Sequence, residues 1–135
     1  MNRNTLLLVL IFGAAAAGLG GLVMATGKLS KSALLSLAQG AGFPPGDDNT
    51  AAAIALAESS GDAHAYNPES AAGNPQGQGS FGLWQINLHA HPEFFTWPLY
   101  DPATNARAAF SVYEAAGNSF HPWSTFTSGA YQSFV

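Results

Sequence analysis

The sequence has no cysteine among its 135 residues. Disulfide scaffolds, thiolate zinc sites and thiol nucleophiles are therefore excluded together. Charged residues are scarce at 9%, and Lys and Arg together number 4. Because binding nucleic acid requires clustered Lys and Arg to neutralise phosphates, the composition argues against nucleic acid as the main partner. A chain of this length is sufficient for one small domain.

The few charges are distributed asymmetrically along the chain. Up to Gly46 the charged side chains are Arg3, Lys28 and Lys31, with no acidic residue. The rest of the chain carries all 8 acidic residues and, of the basic ones, Arg107. A basic segment thus precedes an acidic domain, and the formal net charge of the whole chain is −4.

Residues 5–27 contain no charged side chain and are longer than the roughly 20 residues that a helix needs to cross a bilayer. We predict a single membrane-spanning anchor over residues 1–28, which places the protein in a membrane with the lipid bilayer as one partner. The alternative is a cleaved signal peptide, with Arg3 as its basic region and a cleavage site at residues 23–25. The apolar run exceeds the roughly 7–15 residues usual in a signal peptide, which favours a retained anchor.

After the anchor, the apolar pattern predicts two helices separated by a break. Residues 29–46 form a short amphipathic helix followed by a Pro and Gly linker. Asp47 and Asp48 offer cap oxygens to the next helix, which is expected to end near Ser60. Glu58 lies in the last turn of that helix, where the negative end of the helix dipole disfavours a carboxylate. Such a position raises the pKa of a carboxyl group, as a general acid requires, although a solvated Glu on an exposed face fits the spacing as well.

The following segments predict turns, a hairpin and two more helices. Residues 61–80 are rich in Gly, Pro and Asn and are expected to form turns and a small hairpin. Ser80 is expected to cap a short helix over residues 81–88. Asp101 and Pro102 then provide a cap followed by proline at the first position of another helix. The coarse class that these patterns predict is mainly α.

Two familiar site motifs match only in form. Gly77, Gly79 and Gly82 have the spacing of a dinucleotide-binding loop, but the polar, proline-containing stretch before them cannot form the required buried strand. Ser80 lacks the spacing and the flanking strand of a hydrolase nucleophile. Neither a nucleotide cofactor nor a serine nucleophile is predicted.

A possible metal site lies between residues 89 and 93. His89, His91 and Glu93 alternate as metal ligands on a strand would. Pro92 interrupts them, and no fourth ligand is spaced to complete a site. We interpret this stretch as a polar loop and predict no metal and no other cofactor.

Four short motifs occur in a fixed order across most of the acidic part of the chain. They are AESSG at 57–61, SFGLWQIN at 80–87, DPxxNA at 101–106 and PWSTFxxGxY at 122–131. The set resembles the lysozyme-like superfamily of soluble lytic transglycosylases and goose-type lysozymes, and the last motif is similar to that of phage-borne members. Four motifs in the correct order are far more specific than any one of them.

The resemblance implies a lysozyme-like α+β domain over residues 47–135 that acts on peptidoglycan glycan strands. Glu58 would be the single catalytic acid/base. The residues that would contact or support the glycan are Ser80, Gly82, Leu83, Gln85, Ile86, Asn105 and Tyr131. Two features depart from the family pattern: Trp84 replaces the usual Met, and the sequence ends shortly after Tyr131. The second departure predicts a groove that is shallower, or completed by neighbouring subunits. A homo-oligomer and virion proteins are the protein partners left open.

A single Glu suits transglycosylation, because glycoside hydrolysis ordinarily needs two carboxylates. The nearest other acids, Asp62 and Glu69, lie in a turn-rich loop, and neither is part of a clear motif. The sequence therefore predicts a membrane-anchored peptidoglycan lytic transglycosylase that cleaves the MurNAc–GlcNAc β-1,4 bond. We expect it to be a virion protein that opens the cell wall for genome entry. The alternatives are a lysozyme-type hydrolase, a bacterial envelope transglycosylase and a glycan-binding membrane protein without catalysis.

Overall fold

The computed structural model describes residues 27–68 and 79–135. The helices are α1 (Lys31–Ala41), α2 (Asp47–Ser59), α3 (Pro102–Ala115) and α4 (Ser124–Thr127), with 3₁₀ helices at Pro92–Phe94 and Ala130–Phe134. The strands are β1 (Tyr66–Asn67), β2 (Ser80–Phe81) and β3 (Ile86–Asn87), which form one antiparallel sheet in the order β1-β2-β3. The described part is thus mainly helical with a little sheet, as the sequence predicts.

Helix α1 lies in the segment predicted to form a short amphipathic helix, and it packs into the core. Ser30 caps the helix by accepting a 3.1 Å hydrogen bond from the backbone nitrogen of Ala33, and Gly42, at φ 117°, ends it. Its apolar face buries Ala33, Leu34 and Ala38, and the helix packs against α2 and α3. The core of the domain therefore includes residues before 47.

Helix α2 begins at Asp47 and ends at Ser59, close to the predicted limits. Asp47 and Asp48 lie inside the first turn, where their charges favour the positive end of the helix dipole. Residues 51–55 are buried. The hydroxyl of Tyr113 hydrogen-bonds to the Asp47 carboxylate and joins α3 to the start of α2.

The helix predicted over residues 81–88 is wrong, because this segment contains the turn between β2 and β3. Gly82, at φ 77°, and Gln85, at φ 49°, both take left-handed backbone conformations that a helix does not contain. The buried side chain of Asn105 fixes the turn: its Oδ1 accepts from the backbone nitrogen of Trp84 at 2.8 Å, and its Nδ2 donates to the backbone oxygens of Phe81 and Leu99, each at 2.9 Å. These long-range hydrogen bonds outweigh the local apolar pattern.

Helix α3 confirms its predicted start. Asp101 is the N-cap, accepting 3.0 Å from the backbone nitrogen of Thr104, and proline follows at the first helical position. The helix contributes Ala109 and Tyr113 to a single core cluster that is centred on large buried side chains, among them Trp84 and Leu34.

The predicted membrane anchor lies outside the described residues, apart from its last positions. No helix among the described residues is long and apolar enough to cross a bilayer.

Candidate active site

The backbone after Glu58 explains the spacing of the AESSG motif. Ser59 Oγ donates to the backbone oxygen of Ala55 at 2.9 Å and accepts from the backbone nitrogen of Gly61 at 3.2 Å, which closes the end of α2. At Gly61 (φ 82°) an added Cβ would lie 2.5 Å from the backbone oxygen of Leu29. Only glycine allows this contact, so the motif presents Glu58 at a helix end that is fastened to the segment before α1.

Glu58 faces a cavity of about 200 Å³ between α2, the hairpin formed by β2 and β3 (residues 80–87, called the hairpin below) and the C-terminal part of the chain. Strands β2 and β3 supply one wall, and the residues around the start of α4 supply the other. The lining residues are Glu58, Ser80, Gln85, Ile86, Asn87, Ala90, His91, Val112, Pro122, Trp123 and Ser124.

The Glu58 carboxyl is partly removed from water and has one defined side-chain partner. Burial raises the pKa of Glu58, while hydrogen bonds from the side chain and the backbone of Thr125 act in the opposite direction without cancelling it. The Thr125 hydroxyl donates to Glu58 Oε2 at 2.8 Å. The sequence predicts this direction from the helix dipole, but the main cause in the structure is burial. A carboxyl that keeps its proton to higher pH is suited to general acid catalysis.

Three of the predicted glycan-binding residues form the hairpin wall of the cavity with Glu58, namely Ser80, Gln85 and Ile86. Gln85 is held by its amide nitrogen, which donates to the backbone oxygens of Ala65 at 3.2 Å and Gly82 at 3.0 Å. Ser80 Oγ accepts from the Asn87 amide at 3.1 Å. The wall therefore carries polar side chains that hydrogen bonds within the sheet region hold in place.

The other four predicted residues do not line the cavity. Leu83 and Asn105 are fully buried, at 0% exposure, so they support the hairpin from beneath and cannot contact a glycan in this conformation. Gly82 is a packing position, since an added Cβ would lie 2.3 Å from Asn105 Nδ2. Tyr131 lies in the C-terminal 3₁₀ helix, with its ring 4.9 Å from that of Phe126.

The structure also brings residues to the site that the sequence did not single out. Asn87 and His91 line the cavity, and Thr125 contacts the carboxyl directly. Asn87 and Thr125 stand inside recognised motifs, which was their only signal. The sequence points to His91 only as a possible metal ligand, and among the described residues no group of three His, Asp or Glu side chains could hold a metal ion.

Of the two acids nearest to Glu58 in sequence, Asp62 does not line the cavity. Asp62 is engaged elsewhere, since its Oδ1 accepts from the backbone nitrogen of His64 at 2.9 Å. Glu69 lies outside the described residues. Among the described residues that line the cavity, Glu58 is thus the only carboxylate.

Comparison with known proteins gives a single positive result. The sequence model of the lysozyme-like domain matches residues 35–125, which is more than half of the chain. No curated protein and no solved structure matches the sequence. The match includes most of α1, in agreement with the packing of that helix, and extends to the partner of Glu58, Thr125. The chain therefore belongs to the lysozyme-like domain family, whose members are in general peptidoglycan-cleaving enzymes.

Proposed function

We propose that this protein is a peptidoglycan lytic transglycosylase that cleaves the MurNAc–GlcNAc β-1,4 bond, with Glu58 as its single acid and base. The observation that carries the proposal is a half-buried carboxyl, with a raised pKa, that is the only acid among the described residues of the cavity wall. Protonation of a leaving oxygen needs such a group.

The reaction requires one residue to act twice. Glu58 first donates its proton to the glycosidic oxygen as the bond from that oxygen to C1 of the muramoyl sugar breaks, with assistance from the N-acetyl group. The C6 hydroxyl of the same sugar then attacks C1, and its proton passes to the Glu58 carboxylate. The product is a 1,6-anhydro sugar, and Glu58 ends the cycle protonated as it began.

Hydrolysis would make a different demand on the site. A hydrolase of the two-carboxylate type uses a second acid as nucleophile or to activate water. Asp62 is bound to a backbone nitrogen and lies outside the cavity lining. The C6 hydroxyl, in contrast, belongs to the bound substrate and is present at high effective concentration. This difference favours transglycosylation.

We further propose that residues 5–27 tether the enzyme to a membrane and that it serves a virion during genome entry. The uncharged run supports the tether, because it has the length and composition of a membrane span. The likeness of the last motif to phage-borne relatives supports the virion role. A bacterial envelope enzyme for wall remodelling is the alternative setting for the same chemistry.

The reaction products distinguish transglycosylation from hydrolysis. Purified full-length protein is incubated with peptidoglycan in ¹⁸O-labelled water, and the fragments are analysed by mass spectrometry, with Glu58→Gln as the control for contaminating activity. We expect 1,6-anhydromuramoyl ends, which lack one water relative to hydrolytic ends and contain no ¹⁸O. Labelled reducing ends would instead identify a lysozyme-type hydrolase.

A further inference from the structure

Thr125 makes a contact with Glu58 that the two-step reaction can use. Its hydroxyl donates to Glu58 Oε2 at 2.8 Å, and the residue lies in the first turn of α4. A carboxyl group has two oxygens that can carry the proton. When Oε2 is occupied as an acceptor, the proton of the acid form is directed to Oε1.

Thr125 is held in place by the buried interior. The residue before α4, Trp123, is 5% exposed, and its indole nitrogen donates to the backbone oxygen of Trp84 at 2.9 Å. The backbone oxygen of Trp123 in turn accepts from the nitrogens of Phe126 and Thr127, at 3.0 and 3.2 Å. The start of α4, and with it the Thr125 hydroxyl, is therefore fixed relative to the hairpin.

Resting on the function proposed above, we propose that Thr125 is the positioning residue of the acid/base, whose hydroxyl holds Glu58 Oε2 so that Oε1 donates the proton and later receives it. In the first step the proton leaves Oε1 for the glycosidic oxygen as the C1–O bond breaks. In the second step C1 bonds to the C6 oxygen, whose proton returns to Oε1. No proton is gained or lost over the cycle.

The hydroxyl also supports the form of Glu58 that exists between the two steps. Donating the proton creates a carboxylate in a place where burial disfavours charge. A hydrogen bond to a charged acceptor is stronger than one to a neutral acceptor, so the Thr125 contact strengthens as the proton leaves. The donor thus stabilises the transition state more than the ground state.

Other titratable groups near the site must be separated from this effect. On the elements packed around Glu58 these are His91 in the cavity wall, Tyr131 in the C-terminal 3₁₀ helix and Lys31 on α1. Helix α4 itself carries no titratable side chain. A His91→Gln variant identifies any part of a pH profile that belongs to the imidazole.

The experiment compares Thr125→Val, which keeps the shape and removes the hydroxyl, with Thr125→Ser, which keeps the hydroxyl. The matched control is Thr127→Val in the same helix, where the exposed hydroxyl donates only to the backbone oxygen of Ser124, at 3.2 Å. The pH dependence of kcat/KM on purified peptidoglycan is measured for each full-length protein. The pKa of Glu58 is followed independently by carbon NMR of its side-chain carboxyl.

We expect Thr125→Val to lower kcat/KM about 10- to 100-fold, the loss of one hydrogen bond to a charged group. In this variant the pKa of Glu58 should rise, because a hydrogen-bond donor to the carboxylate is gone. The alkaline limb of the pH profile of kcat/KM should therefore move to higher pH. Thr125→Ser and Thr127→Val should retain the original limb.

An unmoved limb and an unmoved Glu58 pKa in a folded Thr125→Val protein would overturn the positioning role, even if Glu58→Gln is inactive and the proposed function stands. Activity in Glu58→Gln would overturn both, since there would be no acid to position. A loss of thermal stability alone would identify Thr125 as a packing residue and contradict the inference.

Discussion

The indole nitrogen of Trp84 donates a 2.9 Å hydrogen bond to the backbone oxygen of Ala51 in α2. Trp84 thus uses the single hydrogen-bond donor of its side chain inside the fold. The side chain is 1% exposed, so it joins the hairpin to the helix that carries Glu58 and offers no surface for a sugar to stack on. This hydrogen bond therefore fixes the hairpin relative to the helix that carries Glu58.

Replacing Glu58 by Gln should abolish most of the lytic activity. The amide keeps the volume and cannot give up a proton, so turnover should fall by the roughly 10²–10⁴ typical of general acid loss. Turbidity loss of a peptidoglycan suspension measures this directly. Glu114→Gln, an exposed change on α3, is the matched control and should leave the rate unchanged. Full activity of a folded Glu58→Gln protein would exclude Glu58 as the acid.

The same substitution should alter how stability depends on pH. Burial raises the pKa of Glu58 above its value in the unfolded chain, so between the two pKa values the folded state binds more protons than the unfolded state. Stability then falls as pH rises through that interval. The amide of Glu58→Gln does not titrate, so the Tm of this variant relative to that of the unchanged protein should increase as pH rises from acidic to neutral. Parallel Tm curves would contradict the raised pKa.

Gly82→Ala distinguishes the hairpin from the helix that local sequence favours. In a helix this change would be stabilising, since Ala is the better helix former. In the structure the added Cβ would lie 2.3 Å from Asn105 Nδ2 and 2.5 Å from the backbone oxygen of Leu99, so we expect a loss of more than about 3 kcal/mol in urea unfolding.

Gly117→Ala is the control for backbone strain in that comparison. Gly117 also has a positive φ, of 79°, but an added Cβ would meet no atom of the described residues within 4 Å. It should cost about 1 kcal/mol, the strain of the left-handed conformation alone. Equal effects at Gly82 and Gly117 would mean that the contact with Asn105 is unimportant.

Membrane attachment is tested by removing the uncharged run. Full-length protein should remain in the membrane fraction through high-salt and carbonate washes, whereas a truncated chain beginning at Lys28 should be recovered in the soluble fraction and remain active. Release by salt alone would indicate peripheral binding. Recovery of a mature form that starts near Thr26 would indicate a cleaved signal peptide.

The sequence predicted the helices better than the hairpin because their signals are local. Asp101 and Pro102, for example, mark the start of α3 with two adjacent residues. The conformation of residues 81–88 depends instead on Asn105, whose hydrogen bonds join positions distant in the chain. No periodicity encodes such a contact.

The candidate site follows the same rule. Glu58 and the hairpin residues were identified through their motifs, whereas the bond from Thr125 to Glu58 joins residues 67 apart in sequence. The burial that raises the Glu58 pKa is likewise a product of tertiary packing. The sequence motifs indicate candidate residues, whereas the folded structure shows that the Thr125 hydroxyl binds Glu58 Oε2.

The backbone hydrogen bond between Leu29 and Gly61 would limit the reach of a membrane-tethered form of the domain. The backbone nitrogen of Leu29 donates to the backbone oxygen of Gly61 at 2.8 Å, close in sequence to Glu58. If residues 5–27 cross a bilayer, Lys28 alone separates the end of the span from this fixed point. No flexible linker would then allow the domain to move away from the membrane. The cleft would then work at one height above the lipid, cutting only glycan strands that come down to the membrane surface and opening a local hole in place of clearing the wall.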